Sequence, residues 1–142
     1  MKRRLVHFLR TFPLTLLCVA LVWYLCLLKP PSLRVRHFAD TDKVVHVLMY
    51  LGLCGTLWWE YHRSTYRLSV AHRLVWFVLF PVLMSGVIEL LQEYATLYRS
   101  GDWRDLAANT LGVLMGAAWG GWLLPWWIKR RDGAKSGSGA SK

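Results

Sequence analysis

The usual short motifs of soluble chemistry are missing from this chain. There is no Gly-rich phosphate loop, no Walker sequence, no nucleophile elbow and no paired cysteine ligands, which removes P-loop nucleotide chemistry, elbow-type hydrolysis and cysteine metal clusters. The cysteines Cys18, Cys26 and Cys54 all fall inside apolar stretches and read as core residues. Acidic residues are scarce: eight Asp and Glu against eighteen Lys and Arg leave a formal charge of +10. No recognition helix or aromatic-basic platform accompanies that charge, so a nucleic-acid partner is not expected. Basic residues flanking membrane spans, drawn to anionic headgroups, account for it instead. Strand-like alternation is lacking too, and few turn signals interrupt the apolar runs, which argues against β architecture.

What the chain does have is apolar length. Residues 11 to 28 and 106 to 128 carry no charge, against the ~20 residues needed to cross a bilayer core. Residues 44 to 59 and 74 to 88 are shorter and reach that length only if their helices continue through flanking polar residues. Burying nine Trp and a 55% hydrophobic composition inside 142 residues is not what a soluble domain of this size does. The expected fold is all-α, a compact bundle of four transmembrane helices with one polar site. The spans are placed at about 8–28, 43–61, 73–93 and 104–128, in one domain covering 1–132. The basic N-terminus followed by an apolar run reads as a retained first helix, because no small-residue cleavage site precedes Lys29-Pro30-Pro31. Residues 133–142 are Gly/Ser-rich and read as a flexible tail or an appended remnant.

With four spans both termini share a side. That side carries twelve Lys or Arg against six on the other, or ten without the tail, so the termini are expected in the cytoplasm of a bacterial inner-membrane protein.

Three polar constellations sit at the opposite, outer ends of the spans. Asp42, His46 and Tyr50 share a helical face by their spacing of four. A His beside a carboxylate serves as a general base or metal ligand, while a capping Asp and a His hydrogen-bonded across helices is the plainer alternative. Glu89 and Gln92 share another face directly after an apolar run, and an ionisable group at such depth faces the bundle interior, a partner or water. Glu93 reads as a solvated interfacial charge. Arg99-Ser100-Gly101-Asp102 reads as a turn opening the fourth span, with Asp102 and Asp105 at its positive end. Asp105 and Asn109 then align, and Gly112, Gly116 and Gly120 continue at the same spacing as a ridge for close helix approach. Helix packing is the preferred reading of the ridge, and self-association of two copies is a second use of it.

Taken together, Asp42-Lys43-x-x-His46-x-x-x-Tyr50, Glu89-x-x-Gln92 and Arg99-x-x-Asp102-x-x-Asp105-x-x-x-Asn109-x-x-Gly112-x-x-x-Gly116 resemble the VanZ-like family of small bacterial membrane proteins. The resemblance covers about residues 40 to 120. The family's namesake is associated with teicoplanin resistance, which implies a role at the cell envelope and a link to that lipoglycopeptide; the resemblance supplies no biochemical mechanism.

The leading expectation is a protein that binds or modifies an amphiphile, either a lipid headgroup or a lipid-linked precursor, at an outer-facing polar cleft. Arg99 would grip a phosphate or carboxylate through its forked donors, with Asp42, Tyr50, Gln92, Asp102 and Asn109 around the ligand. In an enzymatic version Glu89, His46 and Asp105 are the catalytic candidates, His46 or Glu89 as base and Arg99 as electrostatic stabiliser. A divalent cation fits such a site: carboxylates suit Mg²⁺, Ca²⁺ or Mn²⁺, and the His also permits Zn²⁺. The alternatives are a small proton- or ion-coupled transporter and a structural helper whose polar residues only join helices.

Overall fold

The computed structural model describes residues 2–27, 41–95 and 101–130, with side chains from Val6 onward. Arg99, the first loop with Lys29-Pro30-Pro31, and the tail from Gly133 lie outside the described residues. All elements among the described residues are helical: α1 (Lys2–Thr11), α2 (Pro13–Leu27), α3 (Thr41–Arg63), α4 (Val70–Ala95) and α5 (Trp103–Arg130). The last four form the bundle.

Local sequence sets the boundaries. Pro13 has no N–H, and its ring disfavours helical geometry at Phe12. The helix expected from about residue 8 is therefore divided into α1 and α2. Ser69 caps α4 by accepting from the His72 N–H at 3.3 Å, and Asp102 caps α5 by accepting from the Arg104 N–H at 2.9 Å.

Two prolines inside helices leave a mark. The turn widens to π geometry at Val75–Leu79, ahead of Pro81, and at Trp119–Leu123, ahead of Pro125. Each proline removes a donor, and α3 supplies replacements. The Cys54 thiol points at the Phe77 carbonyl, 3.9 Å away. The His62 ring donates from Nε2 to the Gly120 carbonyl at 2.8 Å. Freed backbone groups in hydrocarbon need such partners.

α3 and α5 pack along most of their shared length, and α4 docks on α5 and α2. The glycine ridge makes the α3–α5 seam possible. A Cβ on Gly116 would stand 2.6 Å from Cys54 Cβ, and one on Gly112 or Gly120 would strike the Val47 carbonyl or the Trp58 side chain. The packing use of the ridge is thus filled by α3 of the same chain.

Val22, Cys26, Tyr50, Leu53, Cys54, Met84, Ile88 and Val113 form the central core. Phe12, Trp58, Tyr61 and Phe77 form a second cluster near the other end, with Trp58 and Phe77 edge to face at 4.9 Å between ring centroids. An apolar cleft of about 550 Å³ lies among α1 to α4, its walls including Phe8, Leu16, Leu57, Tyr66, Trp76 and Phe80.

The outside of the bundle is apolar. Leu17, Leu48, Leu83 and Trp122 are each more than half exposed, whereas His46, Glu60, Ser85, Glu89, Gln92, Asp105 and Asn109 are buried. α4 and α5 are long and apolar enough to cross a membrane, yet only 33% and 28% of their apolar windows are buried. A core helix of a soluble protein would hide most of such a window. Apolar residues outside and polar residues inside is the order that hydrocarbon solvent imposes, and it agrees with a membrane setting.

Candidate functional site

The start of α3, the end of α4 and the start of α5 meet at one end of the bundle. There the spacing of four on α3 brings Asp42 and His46 onto one face, and the same spacing on α5 does so for Asp105 and Asn109. The two faces oppose each other. His46 Nε2 lies 3.5 Å from Asp105 Oδ2 and 3.9 Å from Asp42 Oδ2. His46 Nδ1 is 2.9 Å from Asn109 Oδ1, and Asn109 Nδ2 donates to Ser85 Oγ on α4 at 2.7 Å. Since that amide spends its N–H on Ser85, its oxygen faces the imidazole and accepts a proton bond from Nδ1. The ring is thereby oriented with Nε2 toward the two carboxylates.

The side chains of His46 and Asp105 are 3% and 9% exposed, while that of Asp42 is 54% exposed. The cluster is therefore sunk between helices and opens past Asp42. One donor atom from each of Asp42, His46 and Asp105 lies within 4.8 Å of the others, so this trio can hold a cation, move a proton, or bind a ligand that offers a donor.

Glu89 sits beside this cluster in a different role. Its Oε2 accepts from the Asp102 N–H at 3.1 Å, placing the carboxylate at the positive end of α5. Gly101 packs so closely on α4 that a Cβ there would stand 2.6 Å from the Glu89 carbonyl, and its N–H donates to Glu93 Oε2 at 2.9 Å. Exposed Glu93 thus helps anchor the turn. Asp102 spends its own carboxylate on the helix cap. Gln92, 1% exposed, donates from Nε2 to the Cys26 carbonyl at 2.8 Å, tying α4 to the end of α2. Tyr50 is fully buried one turn below His46, its hydroxyl turned toward Ser85 without completing a hydrogen bond.

Of the expected site residues, the structure joins Asp42, His46, Asp105 and Asn109, and sets Glu89 and Asp102 together at the neighbouring helix start. It gives Gln92 to α2 and Tyr50 to the core. Ser85 was missed, although Ser85, Glu89 and Gln92 repeat at spacings of four and three, a helical stripe.

The expectation of one polar site needs correction as well. At the opposite end of the bundle Glu60 on α3 is 7% exposed. It accepts from the Leu14 N–H at 2.8 Å, the Thr15 N–H at 3.0 Å and the Thr15 hydroxyl at 2.6 Å. These are the unpaired donors of the first turn of α2, where Pro13 offers none. Glu60 is a capping latch between helices, and its signal in the sequence was a single acid between Trp59 and Tyr61.

A family model described as VanZ/LLP1 matches residues 5–127, reaching from α1 nearly to the end of α5. No curated protein and no solved structure matches the chain. The match takes in the paired faces of α3 and α5, the Glu89 turn and the glycine ridge. This chain belongs to the VanZ/LLP1 family.

Proposed function

We propose that this protein crosses a bacterial cytoplasmic membrane four times, through α2 to α5, with both termini in the cytoplasm. In this reading it binds or modifies an amphiphile at the outer end of the bundle, either a lipid headgroup or a lipid-linked envelope precursor. The observation that carries the reading is the Asp42–His46–Asp105–Asn109 cluster. It is a buried polar group that opens past one half-exposed carboxylate, in a bundle whose outer surface is apolar. Polar groups at such a position are costly to keep and mark functional sites. The apolar cleft among α1 to α4 offers a second surface, suited to a hydrocarbon chain. The twelve-to-six distribution of basic residues supports the orientation. Arg99, which precedes α5 in the sequence, would meet the phosphate or carboxylate of the ligand. A link to glycopeptide resistance is part of this proposal and follows from the family's namesake alone.

Comparative lipid mass spectrometry on purified wild type and on the Arg99→Ala and Glu89→Gln variants, each checked for folding, tests the reading. A specific lipid or precursor retained by wild type and lost by the folded variants is the expected result. A chemically altered lipid that appears with wild type alone would add catalysis. Identical bulk lipid in all three would leave the helper reading, which the interhelical bonds of Gln92 and Asn109 favour.

A further inference from the structure

We infer that Asp42, His46 and Asp105 form a divalent-metal site, best matched to Zn²⁺, in which Asn109 and Ser85 position the histidine. Three features of the geometry support it.

First, the donors converge from two helices. A tetrahedral ion with ligands at about 2.0–2.1 Å separates them by about 3.3–3.4 Å. His46 Nε2 and Asp105 Oδ2 stand 3.5 Å apart, and Asp42 Oδ2 is 3.9 Å from the same nitrogen. Closing the trio on an ion takes a small rotation of Asp42, whose half-exposed side chain has room to make it. Among the described residues three protein ligands converge, the number found at reactive rather than structural zinc sites.

Second, the imidazole is prepared for a metal. Metal-bound histidines donate their other ring N–H to an oxygen that fixes tautomer and orientation. Here Nδ1 donates to Asn109 Oδ1 at 2.9 Å, and the amide is held in turn by Ser85 at 2.7 Å. With Nδ1 turned to Asn109, Nε2 of His46 faces the space between the carboxylates.

Third, the donor types select the ion. One imidazole among oxygens suits Zn²⁺ better than Mg²⁺ or Ca²⁺, which take oxygen ligands.

An ion there would supply a Lewis acid and an activated water beside the opening. That chemistry would suit the phosphate or acyl groups of the amphiphile proposed above, but the metal site itself does not depend on the ligand's identity.

The test is calorimetric titration of ZnCl₂ into chelator-stripped full-length protein in lipid nanodiscs. Wild type should bind a single Zn²⁺ per chain. Asp42→Asn, at a half-exposed position, and His46→Gln should lower the affinity at least tenfold. Asn109→Ala should lower it about 10- to 100-fold by freeing the ring. Glu93→Gln, at the same end but outside the trio, should bind as wild type does. Binding that Asp42→Asn and His46→Gln leave unchanged would place the zinc on another group, such as His7, His37, His62 or His72, and overturn the inference. So would an imidazole that ¹⁵N chemical shifts show protonated at Nε2 in the metal-free protein, donating to the carboxylates. Lipid retention measured on stripped protein separates the two ideas: zinc binding lost with retention intact discards the metal and leaves the proposed function standing.

Discussion

Gly116 is the sharpest place to perturb the fold. A Cβ added there would lie 2.6 Å from Cys54 Cβ, where two carbons prefer about 3.5–4.0 Å. Both atoms are fixed to backbone, so no rotamer relieves the clash and α3 and α5 must part by about 1 Å. Overpacking of this kind costs about 1–3 kcal/mol, against about 0.5–1 kcal/mol recovered because alanine is the better helix residue. Gly116→Ala should therefore cost up to about 2.5 kcal/mol, and about 1–3 kcal/mol relative to a glycine-to-alanine change that meets no neighbour. Gly52, on the same pair of helices, has nothing within 4 Å of its added Cβ, so Gly52→Ala should be neutral or stabilising by up to about 1 kcal/mol. The assay is reversible unfolding in mixed micelles with rising sodium dodecyl sulfate, followed by tryptophan fluorescence. If Gly116→Ala unfolds within about 0.5 kcal/mol of Gly52→Ala, less than the smallest gap the two estimates allow, the seam is not as tight as described. The same parting would stretch the 2.9 Å bond between His46 and Asn109 beyond hydrogen-bond range, so Gly116→Ala should also weaken whatever the cluster binds.

Glu60→Gln keeps the shape of the latch but not its charge, so α2 should loosen and the protein lose about 1–3 kcal/mol. Hydrogen exchange at Leu14 and Thr15 should rise, and unchanged protection there would reject the latch. His62→Phe leaves the Gly120 carbonyl without its donor and should destabilise by about 1–3 kcal/mol, restored in part by a His62→Gln replacement that can still donate; equal melting of the Phe and Gln variants would reject the pairing. Gly101→Ala meets the Glu89 carbonyl at 2.6 Å and should displace the turn that carries the Asp102 N–H. Tryptophan emission from Trp103 should shift while the helical circular dichroism holds, and an unshifted spectrum would count against the close packing.

Much of this was legible because residue spacing reports a helical face. Spacings of four paired Asp42 with His46 and Asp105 with Asn109, and the glycine ridge announced a close helix contact. Lateral neighbours are another matter. Nothing along the chain says that the ridge on α5 meets α3 rather than a second copy, or that Gln92 reaches back to α2 while Asn109 reaches across to α4. Glu60 stayed hidden because a lone acid among aromatics at a span end looks like an interfacial charge. Its role appears only when α2, whose Pro13 leaves two donors waiting, is laid beside it. The widened turns escaped for a related reason: prolines at 81 and 125 signal lost donors, but not which neighbour replaces them.

The seam between α3 and α5 also bears on how the protein is made. In the four-span reading proposed above, Asp42 and His46 enter the membrane with α3, whereas Asp105, Asn109 and the glycines that admit the close approach arrive with α5. Until that helix is released from the ribosome and slides in beside α3, the earlier segments carry a histidine and carboxylates without the companions that make them tolerable in lipid. Insertion of the fifth helix thus completes the polar cluster and the bundle in one event. Incomplete chains would expose polar groups to lipid, the kind of defect that membrane quality-control proteases are placed to remove.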